Sequence, residues 1–221
     1  TAAAVILAIL LVNTEDVFAL DASETVWTVV FTTVSMGTTT GYTLADESFW
    51  PLAAYTVMWI LMIFGSMSGS TSGGIKVYRL LILKSYITNG VYKMFHPRSV
   101  RDVRMDGHSV ADDTVVSAMV VIMMFITTLA VSTVVLLVLE PGIDVMESIG
   151  LAVSAISTSG AITGDITFEE LGDVSKLFLS FLMWVGRMEV VMALLIFTRT
   201  FWKDLASDLK SSREITGGKK Y

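Results

Sequence analysis

The sequence predicts an all-α membrane protein built from tandem repeats of an outer helix, a re-entrant pore helix, a filter-like turn and an inner helix. Of its 221 residues, 53% are hydrophobic and only 16% are charged, which is typical of a chain embedded in a membrane. The apolar segment 114–139 can cross a bilayer core, which takes about 20 residues, whereas 24–36 and 144–156 are too short. Each short segment ends in a turn of Gly, Thr and Ser, so we expect it to enter the membrane and return.

The elements occur in the same order twice, and a polar linker separates the two sets. The linker contains VRMDGHSV, which predicts a small hairpin around Asp106 and Gly107. The opening stretch is too short to span and lacks the basic start of a signal peptide, so we expect it to be the end of a longer helix. The predicted segments are 1–12, an acidic loop at 13–24, 24–36, 50–64 and 75–88 in the first set, and 114–139, 144–156 and 174–198 in the second.

The two sets align as an internal duplication. An offset of 119 residues places 39–41 (TTG) on 158–160 (TSG). With two extra residues in the second set, Gly65 falls on Gly186. The residue identities are few, so the common order of elements is the stronger indication of a repeat.

Positive charge is concentrated after the last helix of each set. Seven of the 15 Lys and Arg residues lie in 76–104, and six lie in 199–220. Because cytoplasmic loops carry an excess of Lys and Arg, both stretches and the C-terminus are predicted to be cytoplasmic. Thirteen of the 21 Asp and Glu residues lie in the other loops, which then face outward. There they either raise the local cation concentration or mark loops that simply lack Lys and Arg.

The two turns have the composition of a cation path. Glycine lets backbone carbonyls point where other residues could not place them, and Thr and Ser add hydroxyl oxygens. Rings of backbone carbonyls replace the hydration shell of the ion in a K+ filter, and the negative ends of the short helices favour a cation. The alternative is a helix contact made by small residues. The predicted filter residues are Thr38, Thr39, Thr40, Gly41 and Tyr42 in the first turn, and Ser157, Thr158, Ser159, Gly160 and Ala161 in the second.

The inner helix of the first set is broken inside the membrane. The apolar run 50–64 covers only about 22 Å of a bilayer core of roughly 30 Å. Irregular backbone at this depth persists only where it is buried in protein or lines a water-filled path. The alternative is helix packing through the GxxxG spacing of Gly65 and Gly69. The predicted loop residues are Gly65, Ser66, Ser68, Gly69, Ser70, Thr71, Ser72, Gly73 and Gly74.

These features resemble the TrkH-type subunits of the Trk/Ktr/HKT superfamily of potassium transporters. The resemblance covers essentially the whole chain and rests on TTTGY, GSTSGGIKVYR, HPRSVRDVRMDG and GRMEVVMALLIFTRTFW. The second turn, STSGA, departs from the Asn-rich, Pro-containing turn of common members. The resemblance implies a K+ channel-like fold of four repeats around one pore. The third and fourth repeats would be 1–88 and 112–200, with a cytoplasmic linker at 89–111 and a cytoplasmic tail at 201–221.

The resemblance also implies a function and partners. The chain would take part in potassium uptake as a multi-pass protein of a prokaryotic plasma membrane, with K+, or Na+ in its place, as the transported ion at the filter. No covalently bound cofactor, enzyme activity or nucleic-acid partner is expected. Loop 65–74 would be a gate under the filter. A missing N-terminal half of the same protein would complete the pore, and the lipid bilayer, a homodimer and a cytosolic TrkA-type nucleotide-binding subunit would be the other partners.

Arg187 is expected to act on the gate. It lies about 18 Å by helical rise from Arg199, too deep for its charge to reach the membrane surface easily. A charge at this depth costs at least ~2.5 kcal/mol unless it is compensated. We expect Arg187 to face the pore and to hydrogen-bond loop 65–74, holding it shut. The alternative is a static ion pair with Glu189, which is disfavoured because positions i and i+2 of one helix do not face each other.

Two classes of transport remain open, a channel-like K+ pathway and Na+- or H+-coupled secondary transport. Broken helices near the membrane midplane suit both classes. The turns after both short segments favour the channel, and Glu189 is the one carboxylate suited to proton coupling. An intramembrane protease is disfavoured because His96 and His108 both lie in the linker, and no predicted span contains Asp.

Overall fold

The computed structural model of the chain describes most of the predicted elements. Its described residues are 22–44, 50–65, 67, 69–70, 72–96, 102–105, 108–161, 166, 168–188 and 202, with the side chains of 22–25 excepted. Several predictions fall outside these residues. They are the helix end at 1–12, the loop residues Ser66, Ser68 and Thr71, the hairpin turn at 106–107, and the end of the last span with the tail, apart from Trp202.

The described part is mostly helical, as predicted. Two short strands, β1 (Arg104–Met105) and β2 (His108–Ser109), pair antiparallel and confirm the hairpin. The helices are α1 (Ala22–Gly37), α2 (Leu52–Phe64), α3 (Val77–Phe95), α4 (Asp112–Leu139), α5 (Val145–Ser157) and α6 (Asp173–Arg187).

Helix lengths agree with the predicted division into spanning and short segments. Helix α4 has 28 residues with a mean hydropathy of 2.6 and is, among the described residues, the helix long and apolar enough to cross a membrane. Helices α2 and α5 have 13 residues each, too few to cross. Helix α2 ends at Phe64, where the sequence predicts a break, and α3 begins at Val77.

Helix α5 is the centre of the packing. Its residues from Leu151 to Ser157 are all buried. Ile156 belongs to a core shared with α4 and α6, whereas Val153 packs among apolar residues of α1 and α2. Because apolar surface gains little by leaving lipid, such contacts in a bilayer depend on close packing and on small residues at the contact. Helix α5 thereby joins the two sets of elements.

A carboxylate joins the outer helix of the second set to its inner helix. Glu140 follows α4, and its Oε1 accepts a hydrogen bond of 2.6 Å from the backbone N–H of Gly172, the residue before α6. A hydrogen bond from Ser175, the Gly172 N–H and the charge of Lys176 together hold the pKa of Glu140 below its usual value. An anion is favoured at this position because the N-terminus of a helix carries partial positive charge and unpaired N–H groups.

Helix α3 continues to Phe95, past the predicted start of the linker at residue 89. Helix α3 contacts β1 and the residues just before it. Asn89 donates its side-chain N–H to the Asp102 carbonyl at 3.0 Å, and the Arg104 N–H donates to the Ser85 hydroxyl at 3.3 Å. The rings of Tyr92 and His96 stack at 4.4 Å. These contacts give the polar end of the helix partners that hydropathy alone does not indicate.

Candidate functional site

The first turn (residues 38–42) begins with a Schellman motif at the end of α1. The N–H of Thr39 donates to the Met36 carbonyl at 3.1 Å, and the N–H of Thr40 donates to the Ser35 carbonyl at 2.8 Å. Thr39 has φ 54°, in the left-handed region that glycine usually occupies at this position. A β-branched residue in this conformation is an outlier that costs about 1–3 kcal/mol, a kind of strain that is concentrated at functional sites.

The second turn (residues 157–161) repeats this geometry 119 residues later. The N–H of Thr158 donates to the Ala155 carbonyl at 3.1 Å, and the N–H of Ser159 donates to the Ser154 carbonyl at 3.0 Å. Thr158 has φ 59°, which matches Thr39. Gly160 has φ 75° where Gly41 in the first turn has φ 78°. Backbone geometry thus supports the alignment that the sequence predicted.

The two turns touch each other. A Cβ added to Gly41 would overlap the backbone carbonyl of Ser159, and it would lie 3.4 Å from the N of Ala161. By contrast, a Cβ added to Gly160 would meet nothing within 4 Å among the described residues. The first turn is therefore covered on the side facing the second, and the second turn is open at its own glycine.

The predicted filter residues differ in how much of their surface is exposed. Thr39, Ser157, Ser159 and Ala161 are buried, and Thr158 and Gly41 are partly buried. The Ser157 hydroxyl donates to the Ser154 carbonyl at 3.3 Å within its own helix. The exposed members are Thr38, Thr40, Tyr42 and Gly160.

Exposed oxygens cluster at the first turn. The hydroxyls of Thr38 and Thr40 lie 2.9 Å apart. Among the described residues, no three His, Asp or Glu side chains converge as metal ligands do. The oxygens available to a cation at the turns are therefore carbonyls and hydroxyls, the ligands of a cation filter.

The residues on either side of loop 65–74 are hydrogen-bonded to each other. The N–H of Ile75 donates to the Ile63 carbonyl at 2.7 Å, so the chain leaves α2 and returns to the same level. Gly74 makes the return possible, with φ 86° and carbonyls of Met62 and Ile63 2.9 Å from the place a Cβ would take.

The described interior of loop 65–74 supports itself by local hydrogen bonds. The Ser70 hydroxyl accepts from the Ser72 N–H at 3.1 Å and lies 2.7 Å from the Ser72 hydroxyl. Such serine turns satisfy backbone groups that no helix ladder pairs. Met67 is 75% exposed and marks the outermost described part of the loop. The predicted break thus contains small polar residues that replace the missing helical bonds.

Loop 65–74 contacts the second turn directly. The Gly73 N–H donates to the Thr158 hydroxyl at 3.2 Å. A Cβ added to Gly73 would lie 2.6 Å from the Ile156 carbonyl oxygen and 2.7 Å from that of Ser157. Only glycine fits this closely against the end of α5.

The aligned glycines Gly65 and Gly186 make equivalent contacts. A Cβ on Gly65 would overlap the carbonyl oxygen of Gly37, and one on Gly186 would overlap that of Ile156. Gly37 and Ile156 are themselves 119 residues apart. Gly65, which follows α2, and Gly186, in α6, thus lie against the last turns of α1 and α5 at the same point. The offset of 119 residues aligns Gly37 with Ile156, so the sequence carries a signal for this pairing.

Arg187 directly follows this contact. It is the last residue of α6, and its side chain is exposed in the described part of the protein. Its approach to the pore and its hydrogen bond to loop 65–74 stay predictions. The contact that sequence reasoning missed is Gly73 with Thr158, whose residues are 85 positions apart.

The described residues form an all-α fold in which a short helix followed by a turn of Gly, Ser and Thr occurs twice, and comparison with known proteins gives its family. The TrkH family, described as "Cation transport protein", matches residues 1–205. The chain therefore belongs to the TrkH family of cation transport proteins.

Two named relatives are each less than one third identical in sequence to the chain over the aligned residues. It is 31% identical over 180 residues to the Trk system potassium uptake protein TrkI of Halomonas elongata, and 29% identical over 178 residues to TrkH of Vibrio parahaemolyticus. Each alignment covers 79% of this chain and 36% of the relative. The chain thus spans little more than a third of the length of these relatives.

A solved structure has the same fold. The crystal structure of the potassium transporter TrkH from Vibrio parahaemolyticus superposes with a TM-score of 0.78 at 23% sequence identity. The superposition covers 90% of this chain and 43% of that one. The all-α, channel-like fold predicted from the sequence is confirmed.

Proposed function

We propose that the chain forms part of a channel-like pathway for potassium uptake, with the first and second turns as its selectivity filter. The observation that carries the proposal is the pair of equivalent turns, in which Gly41 lies against the Ser159 carbonyl. Two turns in contact, each after a short helix, bring carbonyl and hydroxyl oxygens together as a K+ filter requires. The relatives named as potassium uptake proteins support K+ as the ion.

We further propose that loop 65–74 is the gate of this pathway. Its position supports the proposal, because the loop interrupts the inner helix and contacts the second turn through Gly73. Arg187 would hold the loop in place, as its position one residue beyond the Gly186 contact suggests. A cation passing the filter would then meet the loop and a positive charge, so the loop has to move for ions to pass.

A further part of the same protein would complete the pore. On α5, Ile149 and Val153 pack with apolar residues of α2. Their counterparts on α1, Val30 and Val34, are 43% and 59% exposed. By the same symmetry, an inner helix from a preceding repeat would cover them. The chain's share of its relatives' length leaves room for such repeats.

The remaining partners follow from the family. We propose a homodimer in a prokaryotic plasma membrane, with the C-terminus cytoplasmic and a TrkA-type nucleotide-binding subunit docked on that side. The basic linker and tail support this orientation by the excess of Lys and Arg.

The test is ion flux into liposomes that carry the full-length parent protein. We expect K+ flux to exceed Na+ flux without an imposed H+ or Na+ gradient, and Gly41→Ser to abolish the preference, because the serine side chain would displace the Ser159 carbonyl. Gly37→Ser is the matched control, since a Cβ there meets nothing within 4 Å among the described residues. Flux that requires an H+ or Na+ gradient and is insensitive to Gly41→Ser would instead support coupled transport.

A further inference from the structure

A single hydrogen bond connects the described part of loop 65–74 to the second turn. The Gly73 N–H donates to the Thr158 hydroxyl at 3.2 Å, across 85 positions of the chain. Side-chain packing at Gly73 does not account for this contact, because glycine has no side chain. A Cβ at this position would meet the carbonyls of Ile156 and Ser157, so the backbone of the loop lies directly against the end of α5. A backbone group of the loop is therefore held by a side chain of the predicted filter.

Thr158 is also the strained residue of the second turn. Its φ of 59° places a β-branched side chain where glycine is the usual residue. Glycine would relieve the strain but would provide no hydroxyl. Threonine at position 158 therefore strains the backbone but provides a hydroxyl. That hydroxyl accepts the hydrogen bond from the Gly73 N–H.

The internal repeat supplies a natural comparison. Thr39 has the same residue type, the same Schellman hydrogen bonds and nearly the same φ as Thr158. The inner helices differ, however. Helix α2 has ended at Phe64, whereas α6 continues through the aligned Gly186. Among the described residues of the loop, Gly73 hydrogen-bonds to the turn of the other set, whereas Gly65 lies against Gly37 at the end of α1 in its own set.

We propose that Thr158 is a positioning residue that couples loop 65–74 to the second filter turn. The hydroxyl holds the loop against the turn in the conformation described here. Movement of the loop away from the turn must break this bond, and displacement of the second turn must shift the loop. The inference rests on the proposed function in assigning the loop to gating, but the bond itself can be tested without measuring transport.

The test uses thiol labelling at Ser72, which is partly buried and directly precedes Gly73. The 221 residues contain no cysteine, so Ser72→Cys adds a single, nearly isosteric reporter to this part of a full-length parent made cysteine-free elsewhere. The rate of modification by a polar maleimide reports how often the loop leaves its packed position. We expect Thr158→Val to raise the rate about two- to tenfold, the shift that one neutral hydrogen bond supports. Thr158→Ala should raise the labelling rate to a similar extent, although its side chain is not branched.

Two further variants separate the hydroxyl from general distortion of the filter. Thr158→Ser keeps the hydroxyl and should restore the parent labelling rate. Thr39→Val makes the same chemical change in the equivalent turn and should leave the labelling rate unchanged, whatever it does to selectivity. Equal labelling in parent, Thr158→Val and Thr158→Ala would overturn the proposal, as would an equal rise in Thr39→Val or a failure of Thr158→Ser to restore the rate.

Ion flux in the same preparations keeps the two proposals distinguishable. If the parent shows no selective K+ flux but Thr158→Val still raises labelling, the proposed function fails and the coupling stands. If the parent conducts K+ selectively and labelling is unaffected by Thr158→Val, the coupling fails and the proposed function stands.

Discussion

Gly65 and Gly186 occupy the same position in the two sets of elements, each against a carbonyl oxygen at the end of its own pore helix. The carbonyls belong to Gly37 and Ile156, which the repeat also aligns. The inner helix therefore approaches the pore helix so closely that neither glycine has room for a Cβ. This contact fixes the position of each turn relative to the helix behind it.

Gly186→Ala should lower the thermal stability of the full-length parent in detergent. The added methyl overlaps backbone rather than a flexible side chain, so the helices must separate, at a cost of about 1–3 kcal/mol. Gly90→Ala is the matched control, since a Cβ at Gly90 meets nothing within 4 Å among the described residues. There, helix propensity should stabilise α3 by roughly 1 kcal/mol. An unchanged melting temperature for Gly186→Ala would show that the helices are not in close contact.

Thr39→Gly should stabilise the folded protein while impairing selectivity. Glycine adopts φ 54° without the steric cost that Thr bears, so we expect a gain of about 1–2 kcal/mol in the free energy of unfolding. Thr158→Gly should gain less, because it also removes the acceptor of the Gly73 hydrogen bond. Denaturation of purified parent protein measures both variants. A loss of stability in Thr39→Gly would mean that the threonine conformation carries no strain.

Glu140→Gln should lower the melting temperature at neutral pH. The difference in melting temperature between the variant and the parent should vanish in acid. The pKa of Glu140 is lowered on folding from an ordinary value of 4.5, so the ionised carboxylate stabilises the fold. That contribution is complete above pH 4.5 and is lost as the pH falls through the lowered pKa of the folded state. Melting temperatures of the parent and the variant at pH 7 and at several values below 4.5 test this.

Glu169→Gln makes the same change in net charge elsewhere in the loop before α6. A loss of stability at pH 7 that is equal in Glu169→Gln and Glu140→Gln would assign the effect to net charge. A difference between Glu140→Gln and the parent that persists at the lowest pH would contradict the carboxylate mechanism.

Asn89→Ala should loosen the hairpin on α3. The side-chain hydrogen bond to the Asp102 carbonyl is exposed, so its loss should cost about 0.5–1.5 kcal/mol. Hydrogen exchange of the β1–β2 amides should accelerate by up to about tenfold, while exchange in the middle of α4 should not change. Thr88→Ala, whose hydroxyl bonds within its own helix to the Lys84 carbonyl, is the control. Unchanged exchange in Asn89→Ala would indicate that the hairpin is held by other contacts.

The break in the inner helix could be predicted because it depends on local composition. A largely apolar run of 15 residues followed by a stretch of Gly, Ser and Thr cannot form one spanning helix, and α2 indeed ends at Phe64. The hairpin was predictable for the same reason, since an Asp-Gly pair is a strong local turn signal. The end of α3 was not, because Asn89 and Tyr92 have partners, the Asp102 carbonyl and the His96 ring, that hydropathy does not indicate.

The geometry of the turns was only partly predictable. Their composition indicated a path for cations, and the glycines at 41 and 160 have the positive φ that such a turn needs. The left-handed conformation of Thr39 and Thr158 could not be foreseen, because glycine is the usual residue there. The contact of Gly73 with Thr158 depends on how the two sets pack, and no local pattern encodes it.

The most direct test of the central claim is to locate a bound ion. Crystals of the full-length parent protein grown in Rb+ would give anomalous density wherever a K+-like ion binds. The account predicts density beside the first and second turns, within coordinating distance of the backbone carbonyls around Gly41 and Ser159, and its loss in Gly41→Ser. Density at other sites only, or density unchanged in Gly41→Ser, would contradict the assignment of the two turns as the filter.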